Sequence, residues 1–463
     1  MPGRVLPSLD GVVRGRIASD PASLRTAGRD ASHLAGAPLA VVSPVDEDEV
    51  RALIGWARRH RLPLVARGGG TSLDGESVPS DGSVVVDLSG WDRVEAIDPG
   101  ERVAYVGPGV VNWGLQRAVA PHGLFYPPNP GSWTSCTIGG NVATNASGPR
   151  SYRYGPTRAW VRELDVVLGN GRRLRLGTRA AKRSVGPELL SLIVGSEGTL
   201  GIVTRIGVRL APTPPVRRGL LLPVPDGTRL GELAVRLGRA GAEGLSAIEY
   251  VDRASAEALE RLGRPLGPAG SAWVLLEVEA RDPAAADRQA EALASSAAPG
   301  SPPLRPIPFE NADEMWTRRG ESGVALDREL GPRVREDVAV PVGRTDDLLD
   351  ALARISADEH VPLYLYGHLG EGSVHPNFAV DPESPAAARV RERTLLAALA
   401  LDGTVSAEHG IGTIKRPYVE RELGSDAVEW LRAVKAWCDP DGILNPGKLY
   451  PAPQAAGRSS PSP

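Results

Sequence analysis

The chain has 463 residues, 41% of them apolar, and a formal net charge of −3. Because one hydrophobic core rarely supports such a length, we expect two or three domains. Charged residues of both signs are interspersed, and the lack of a basic block argues against nucleic-acid binding. The two cysteines, Cys136 and Cys438, argue against a disulfide framework, a cysteine-based metal site and an iron–sulfur cluster.

The location of the protein follows from three negative features of the sequence. No stretch approaches the roughly 18 uncharged apolar residues of a membrane-spanning helix. The N-terminal sequence lacks the apolar run of a secretion signal. Two isolated cysteines suit a reducing compartment. We therefore expect a cytoplasmic protein, with peripheral association with a membrane as the alternative.

The first regular elements form a strand–helix–strand unit. Residues 1–35 are irregular apart from an amphipathic piece near residues 12–17. The apolar spacing that follows predicts a strand over residues 39–42, a helix over residues 46–59 and a strand over residues 62–66. Ser43 or Asp46 could cap the helix.

The unit ends in the run Arg67-Gly-Gly-Gly-Thr-Ser72. Three glycines let a backbone approach a ligand closely and turn its N–H groups toward an anion such as a pyrophosphate. The run fits neither a nucleotide P-loop nor the glycine pattern of a Rossmann fold. A plain glycine-rich turn is the alternative.

Two more glycine segments follow. Strands are predicted over residues 83–87 and 103–106, and a short helix over residues 111–119. Small polar residues and a glycine pair then interrupt helix-forming sequence between Cys136 and Gly148, a composition that suits the approach of a flat polar ligand. The third segment, residues 194–204, opens a strand that runs toward Val208.

Three of the seven histidines fall in two short segments near the C-terminus. His368 and His375 flank a Gly-Glu-Gly turn between strand-like runs, so a hairpin would aim both rings at one point. Glu408 and His409 lie on a second glycine-rich loop. Two imidazoles and one carboxylate suit zinc, manganese or iron and leave coordination positions open. Structural or surface histidines are the alternative.

Six segments occur in the order seen in a known family: residues 67–72, 137–141, 195–204, 368–375, 408–412 and 445–448. They resemble the vanillyl-alcohol-oxidase-type FAD proteins, which have a PCMH-type FAD domain. Within that family the chain is similar to the branch that holds the D-type subunit of glycolate oxidase, D-lactate dehydrogenase and D-2-hydroxyglutarate dehydrogenase. The resemblance covers roughly residues 35–450.

The resemblance implies an α+β fold in four parts. After the N-terminal segment, residues 1–35, comes a PCMH-type FAD-binding domain of two subdomains, residues 36–214. An α+β cap domain, residues 215–450, would place an antiparallel sheet over the flavin. Residues 451–463 are rich in Pro, Ser, Ala and Gly, and we expect them to be disordered.

The resemblance also implies non-covalent FAD. Some relatives attach FAD through a histidine at a position that is Gly70 or Thr71 here. The matching segments would hold the pyrophosphate, the flavin ring and the adenosine part of FAD. The residues carried over are Arg67, Gly68, Gly69, Gly70, Thr71, Ser72, Pro130, Thr137, Gly139, Gly140, Asn141, Asn145, Gly148, Glu197, Gly198, Gly201, Ile202, Val203 and Asn445.

For catalysis, the resemblance makes His368, His375 and Glu408 the ligands of a divalent metal, with zinc expected first, and His409 the base. The chemistry agrees, because oxidation of a 2-hydroxy acid removes a hydroxyl proton and a hydride from one carbinol. Arg319 and Arg335 are the candidates to bind the substrate carboxylate. Many relatives have a lysine at the position of Arg335.

Two departures from the family lie between the histidines, where Glu371 and Ser373 replace Asp and Asn. They leave the ligands in place but change the residues around them, which affects the identity of the metal and its affinity.

The sequence leaves several alternatives open. The leading interpretation is a D-2-hydroxy acid dehydrogenase that passes electrons to a quinone, a cytochrome, an electron-transfer flavoprotein or oxygen. The alternatives are an oxygen-using oxidase of a larger alcohol, a flavoprotein scaffold in a multi-subunit oxidase, and a metallohydrolase without flavin. A homodimer or partner subunits are also open.

Overall fold

The computed structural model describes residues 6–180, 182–225, 227–241, 243–297, 307–309 and 312–451, and the expected disordered tail lies outside these ranges except for Pro451. Helices and strands fall into three successive groups along the chain. Among the described helices, none combines the length and apolarity needed to cross a bilayer.

The first group is a small α/β layer. Its four-stranded sheet has the order β1-β2-β4-β3, with β2, β4 and β3 parallel and β1 antiparallel at the edge. The buried run Val84-Val-Val86 at its centre is typical of a parallel strand covered on both faces. The elements are β1 Arg16–Ala18, α1 Pro21–Ala27, β2 Ala40–Ser43, α2 Glu47–His60, β3 Leu64–Arg67 and β4 Val84–Asp87.

The second group is built on a five-stranded antiparallel sheet of order β5-β6-β10-β8-β9, with β7 and β11 forming a separate pair. Helix α4 carries the second glycine segment and packs on this sheet. The elements are β5 Val94–Asp98, β6 Val103–Val106, α3 Asn112–Val119, β7 Leu124–Phe125, α4 Ile138–Thr144, α5 Ser151–Tyr154, β8 Val161–Leu168, β9 Arg173–Gly177, α6 Leu190–Ile193, β10 Gly201–Arg209 and β11 Ala211–Pro212.

The third group contains an antiparallel sheet of order β15-β12-β14-β13-β18-β19-β16, with β17 also paired to β19. Its strands and helices are β12 Val216–Val224, α7 Leu230–Ala240, β13 Leu245–Val251, α8 Arg253–Arg261, β14 Ala272–Ala280, α9 Pro283–Ala297, β15 Ile307–Phe309, α10 Ala312–Gly320, α11 Ser322–Leu330, β16 Val334–Arg335, β17 Val338–Ala339, α12 Thr345–Glu359, β18 Leu363–Gly367, β19 Ser373–Phe378 and α13 Pro385–Leu399. The chain then forms α14 Val419–Leu423 and α15 Ser425–Cys438, and α15 packs against the core of the second group through Val434 and Cys438.

The second and third groups are joined by a buried ion pair. Arg150, just ahead of α5, donates Nε and Nη2 to the carboxylate of Glu277 on β14, at 2.9 and 3.0 Å. The Ser246 hydroxyl and the Trp316 indole N–H donate to the same carboxylate. Burial alone would raise the pKa of Glu277, but Arg150 outweighs it and lowers that pKa to about 2. The Arg150–Glu277 ion pair therefore stays charged at all physiological pH values.

The predicted elements agree with the structure except at the N-terminus. The helix predicted over residues 46–59 spans Glu47–His60, and Asp46 caps it by accepting from Glu49 N at 2.9 Å. The expectation that residues 1–35 are irregular is wrong, because the described part of this range contains β1 and helix α1. Pairing with β2 satisfies the backbone of β1, and Asp20 caps α1. In the amphipathic piece near residues 12–17, Val12 and Val13 pack against a hydrophobic core.

Candidate active site

One cavity of ≈ 610 Å³ runs from the glycine loops to the histidines. Its walls come from the loop after β3, the N-terminal end of α4, the segment before β10, and the ends of α10, α11, β18 and β19. The volume lies in the range of cofactor and substrate sites. The structure thus brings both candidate regions of the sequence to one cavity.

Most of the residues predicted to bind FAD line this cavity. They are Arg67, Gly68, Gly69, Gly70, Thr71, Ser72, Pro130, Thr137, Gly139, Gly140, Asn141, Glu197, Gly198, Gly201, Ile202 and Val203. Gly70 has φ +64°, a conformation that a side chain would strain, and a Cβ at this position would collide with the Arg67 guanidinium.

Three predicted residues are placed elsewhere. The Asn145 side chain accepts from Arg158 N at 2.9 Å and faces a smaller, second pocket. Gly148 packs against the backbone of Asn129. Asn445 is buried, and its amide donates to the carbonyls of Glu76 and Glu197 at 2.8 and 2.7 Å. Their positions indicate support of the cavity wall rather than direct contact with a ligand.

The cavity has the donors that a bound FAD needs. Thr137 caps α4 by accepting from Gly140 N, so the N-terminus of that helix lies at the cavity wall, where an anion is favoured. The buried Nδ2 of Asn141 has no hydrogen-bond partner among the described residues. A buried amide of this kind in a cavity wall can donate to a bound ligand. The residues present therefore fit FAD.

At the other end of the cavity, His368, His375 and Glu408 converge. The Nε2 atoms of the two histidines lie 3.3 Å apart, and Glu408 Oε1 lies 3.0 Å from His368 Nε2 and 3.3 Å from His375 Nε2. All three side chains are buried or nearly so. The three donor atoms could hold one metal ion.

The hairpin explains this convergence. Tyr366 on β18 pairs with His375 on β19, and His368 begins the short 3₁₀ turn Leu369–Glu371 that joins the strands. Glu371, one of the departures from the family, accepts from the Ser151 hydroxyl and so fastens this turn to the second group.

Two carboxylates that the sequence analysis missed orient the imidazoles. Glu249 Oε1 on β13 lies 2.6 Å from His368 Nδ1, and Asp337 Oδ1 lies 3.4 Å from His375 Nδ1. A partner at Nδ1 directs Nε2 toward a metal. Neither residue belongs to a sequence motif. The only available signal was a carboxylate in otherwise apolar strand sequence, as in Ser246-Ala-Ile-Glu249.

The charges of the cluster are set by its own carboxylates and imidazoles. Burial alone would lower the pKa of His368, but Glu249 and Glu408 outweigh it and raise that pKa well above its ordinary value. Burial would raise the pKa of Glu408, but the three histidines hold it well below its usual range. Glu408 is therefore an anion throughout the neutral range.

His409 differs in charge from His368. Its ring stacks on that of His375 with the centroids 5.0 Å apart, and Nδ1 lies 3.9 Å from Asp337 Oδ2. Burial and the neighbouring His375 lower the pKa of His409 to about 4, although Asp337 opposes the shift. A neutral imidazole at pH 7 can accept a proton.

Both candidate arginines line the same cavity. Arg319 Nη2 lies 2.7 Å from Glu249 Oε2, and its guanidinium stands over the Tyr366 ring. Its Nε has no hydrogen-bond partner among the described residues, whereas its Nη2 is engaged by Glu249. Arg335 Nη2 lies 3.3 Å from Asp327 Oδ1 and contacts His33, a histidine outside every motif.

Comparison with known proteins agrees with this arrangement. A family described as "FAD binding domain" matches residues 38–177, and one described as "FAD linked oxidases, C-terminal domain" matches residues 213–449. The chain belongs to the FAD-linked oxidases.

Relatives of this FAD-linked oxidase include glycolate oxidase subunit GlcD from Bacillus subtilis, 33% identical with 89% of each chain covered. D-2-hydroxyglutarate dehydrogenase from Stutzerimonas stutzeri is also 33% identical, over 95% of this chain and 97% of the relative. D-lactate dehydrogenase from Archaeoglobus fulgidus is 32% identical, over 88% and 90%.

Solved structures share the fold of this FAD-linked oxidase. p-Cresol methylhydroxylase superimposes with a TM-score of 0.80 at 15% identity, and 4-ethylphenol oxidase from Gulosibacter chungangensis with 0.76 at 21%. Each comparison covers 94% of both chains. The α+β fold expected from the sequence is confirmed.

The cysteines give a direct test of the cavity wall. Burial raises the pKa of the Cys136 thiol from 9.0 to about 11, and Cys438 is also buried with a raised pKa. At pH 8 we expect Ellman's reagent to modify Cys136 about 100-fold more slowly in the native protein than after unfolding, because the thiolate is the reactive form. Rapid native modification of Cys136, located by peptide mapping, would show that this wall is open.

Proposed function

We propose that this FAD-linked oxidase oxidises a D-2-hydroxy acid to the corresponding 2-oxo acid. The observation that carries the proposal is the meeting, in one cavity, of the His368–His375–Glu408 set, the neutral His409 and the two arginines. The names of the relatives, which refer to glycolate, D-lactate and D-2-hydroxyglutarate, support the same substrate class.

Each residue has a distinct task in this reaction. FAD, when bound, would supply a hydride acceptor, and a divalent metal would lower the pKa of the substrate hydroxyl. His368, His375 and Glu408 hold the metal, with zinc preferred over manganese or iron on ligand type. His409, neutral at pH 7, accepts the hydroxyl proton at Nε2, since its Nδ1 faces Asp337.

The arginines would bind the substrate carboxylate. Arg319 is more than nine-tenths buried, Glu249 balances its charge, and its Nε has no partner among the described residues. Arg335 is more exposed and shares Asp327 with Arg333. Arg335 is therefore the freer positive charge, and Arg319 the more rigid donor.

The electron acceptor and the assembly are the least determined parts. With two cysteines in the sequence, an iron–sulfur relay would need another chain. One relative is named as a subunit, which favours partner subunits over a homodimer. A quinone, a cytochrome, an electron-transfer flavoprotein or oxygen would then take the electrons, in a cytoplasmic or peripherally membrane-bound complex.

An anaerobic titration tests the substrate class. We expect one D-2-hydroxy acid to bleach the visible band of the bound flavin, because hydride transfer gives reduced flavin. Its L-enantiomer and the matching alcohol without a carboxylate should leave the band intact. Equal bleaching by that alcohol would remove the role of the arginines and would favour an oxidase of a larger alcohol.

Metal removal tests the ligand set. After chelation, confirmed by elemental analysis, we expect the flavin to stay bound while reduction by the substrate slows at least about 100-fold, since an unassisted hydroxyl has a high pKa. Zinc or manganese should restore the rate. An unchanged rate in the metal-free protein would contradict a catalytic metal.

Replacement of the base gives a third test. His409→Gln should slow flavin reduction by about 10²–10⁴-fold and leave the flavin spectrum and metal content unchanged, because only proton transfer is lost. His122→Gln, at an exposed histidine, is the matched control and should reduce normally. Near-normal reduction of the His409 variant would exclude its role as the base.

A further inference from the structure

The loop that carries Glu408 and His409 lies between the two halves of the active site. We call residues 404–415 the linking loop; it begins where Thr404 bridges to Ala339 and ends at Lys415. Among the described residues it contains no helix or strand, so partners outside the loop must fix its conformation.

On the side of the third group, Asp337 fixes the loop. Its Oδ2 accepts from the backbone N–H groups of Ala407, Glu408 and His409 at 3.0, 2.8 and 2.9 Å. Lys415 Nζ donates to the backbone carbonyl of Asp337 at 3.1 Å. The residues that would hold the metal and take the proton are thus oriented by one buried carboxylate.

On the FAD-binding side, Glu197 and Asp74 hold the next residues of the loop. Glu197 accepts from Ile411 N at 2.7 Å and from Gly412 N at 3.0 Å. The Asp74 carbonyl accepts from Thr413 N at 2.9 Å. Gly412 has φ +52°, and a side chain there would collide with the Asp74 backbone, so the two segments touch directly.

These anchors belong to the flavin end of the cavity. Glu197 lines the cavity, and Asp74 closely follows the glycine loop of residues 67–72. The Asn445 amide bonds to the Glu197 carbonyl and to the carbonyl of Glu76, which also lines the cavity. The linking loop is therefore joined to the segment after the glycine loop by one backbone hydrogen bond, and to the cavity wall by the Glu197 carboxylate.

Lys415 joins the two sides. Its side chain is fully buried, and Nζ lies 3.3 Å from Asp74 Oδ2 and 3.9 Å from Asp337 Oδ2. A buried cation between two buried carboxylates holds both in place, because separating them would leave an uncompensated charge. The ammonium ion therefore ties the segment after the glycine loop to the residue that orients Glu408 and His409.

We propose that Lys415 is a positioning residue through which the flavin site and the metal site are thermodynamically linked. Occupation of the flavin site orders the linking loop and so strengthens metal binding at His368, His375 and Glu408. By reciprocity, the metal strengthens flavin binding by the same factor. This linkage rests on the metal site of the proposed function.

Isothermal titration calorimetry of the full chain with zinc tests the linkage. We expect the Kd for zinc to be at least about tenfold lower in the FAD-loaded protein than in the flavin-free protein. In Lys415→Met the ratio of the two Kd values should approach one while FAD still binds. Lys435→Met is the matched control, because the Lys435 ammonium bonds to Thr199, Asp439 and Leu444 instead, and it should keep the wild-type ratio.

The outcomes separate the two proposals. Zinc binding of equal strength in both flavin states of the wild type would overturn the linkage and leave the metal site standing. Absence of zinc binding in both states would overturn the metal site and the linkage with it. A wild-type ratio retained in Lys415→Met would remove Lys415 from the mechanism.

Hydrogen exchange on the wild type tests the linkage without any variant. We expect added FAD to slow the exchange of backbone amides in residues 407–414, and added zinc to slow that of residues 68–76. These effects are changes in local order and are independent of turnover. Protection confined to the segment next to each added ligand would overturn the proposal even if Lys415→Met does not fold.

Discussion

The active site depends on the burial of the Asp337 carboxylate. Asp337 is fully buried, and burial would raise its pKa, yet His409, Lys415 and His375 lower that pKa well below its ordinary value. A buried anion is tolerated only where hydrogen-bond donors and cations surround it. Here the donors are three consecutive backbone N–H groups. Because the buried Asp337 anion needs these hydrogen bonds, it determines the path of the loop that carries Glu408 and His409.

The same balance of charge gives neighbouring histidines different roles. His368 lies between Glu249 and Glu408 and favours the charged form in the absence of a metal, whereas His409 stacks on another imidazole and favours the neutral form. A divalent cation that replaced the proton of His368 would add one positive charge to a cluster that already holds the carboxylates of Glu249 and Glu408. The buried carboxylates around the histidines thus form a cation-binding environment with a neutral base at its edge.

Local sequence was sufficient to predict the parts of this site that lie close together along the chain. The hairpin at His368 and His375 and the glycine loop at Arg67–Ser72 each have a turn chemistry of their own. Their convergence on one cavity was inferred from the family, not from spacing.

The remaining parts could not be predicted from local sequence because they arise from strand pairing and loop packing. Glu249 reaches His368 across β13 and β18, although 119 residues separate them. Asp337 reaches His409 over 72 residues. Asn445 was expected among the residues that bind FAD, but backbone carbonyls from two distant segments hold its amide inside the wall. Such pairs depend on register, which no single segment encodes.

The buried ion pair between Arg150 and Glu277 affects access to the cavity. Moving the third group away from the FAD-binding groups would leave the buried charges of Arg150 and Glu277 without partners. The free-energy cost of that state makes it rarely populated. A clamshell opening is therefore an unfavourable route for ligand exchange. We expect small acids to diffuse in and out through a fixed entrance near Val324, which lines the cavity and is 57% exposed.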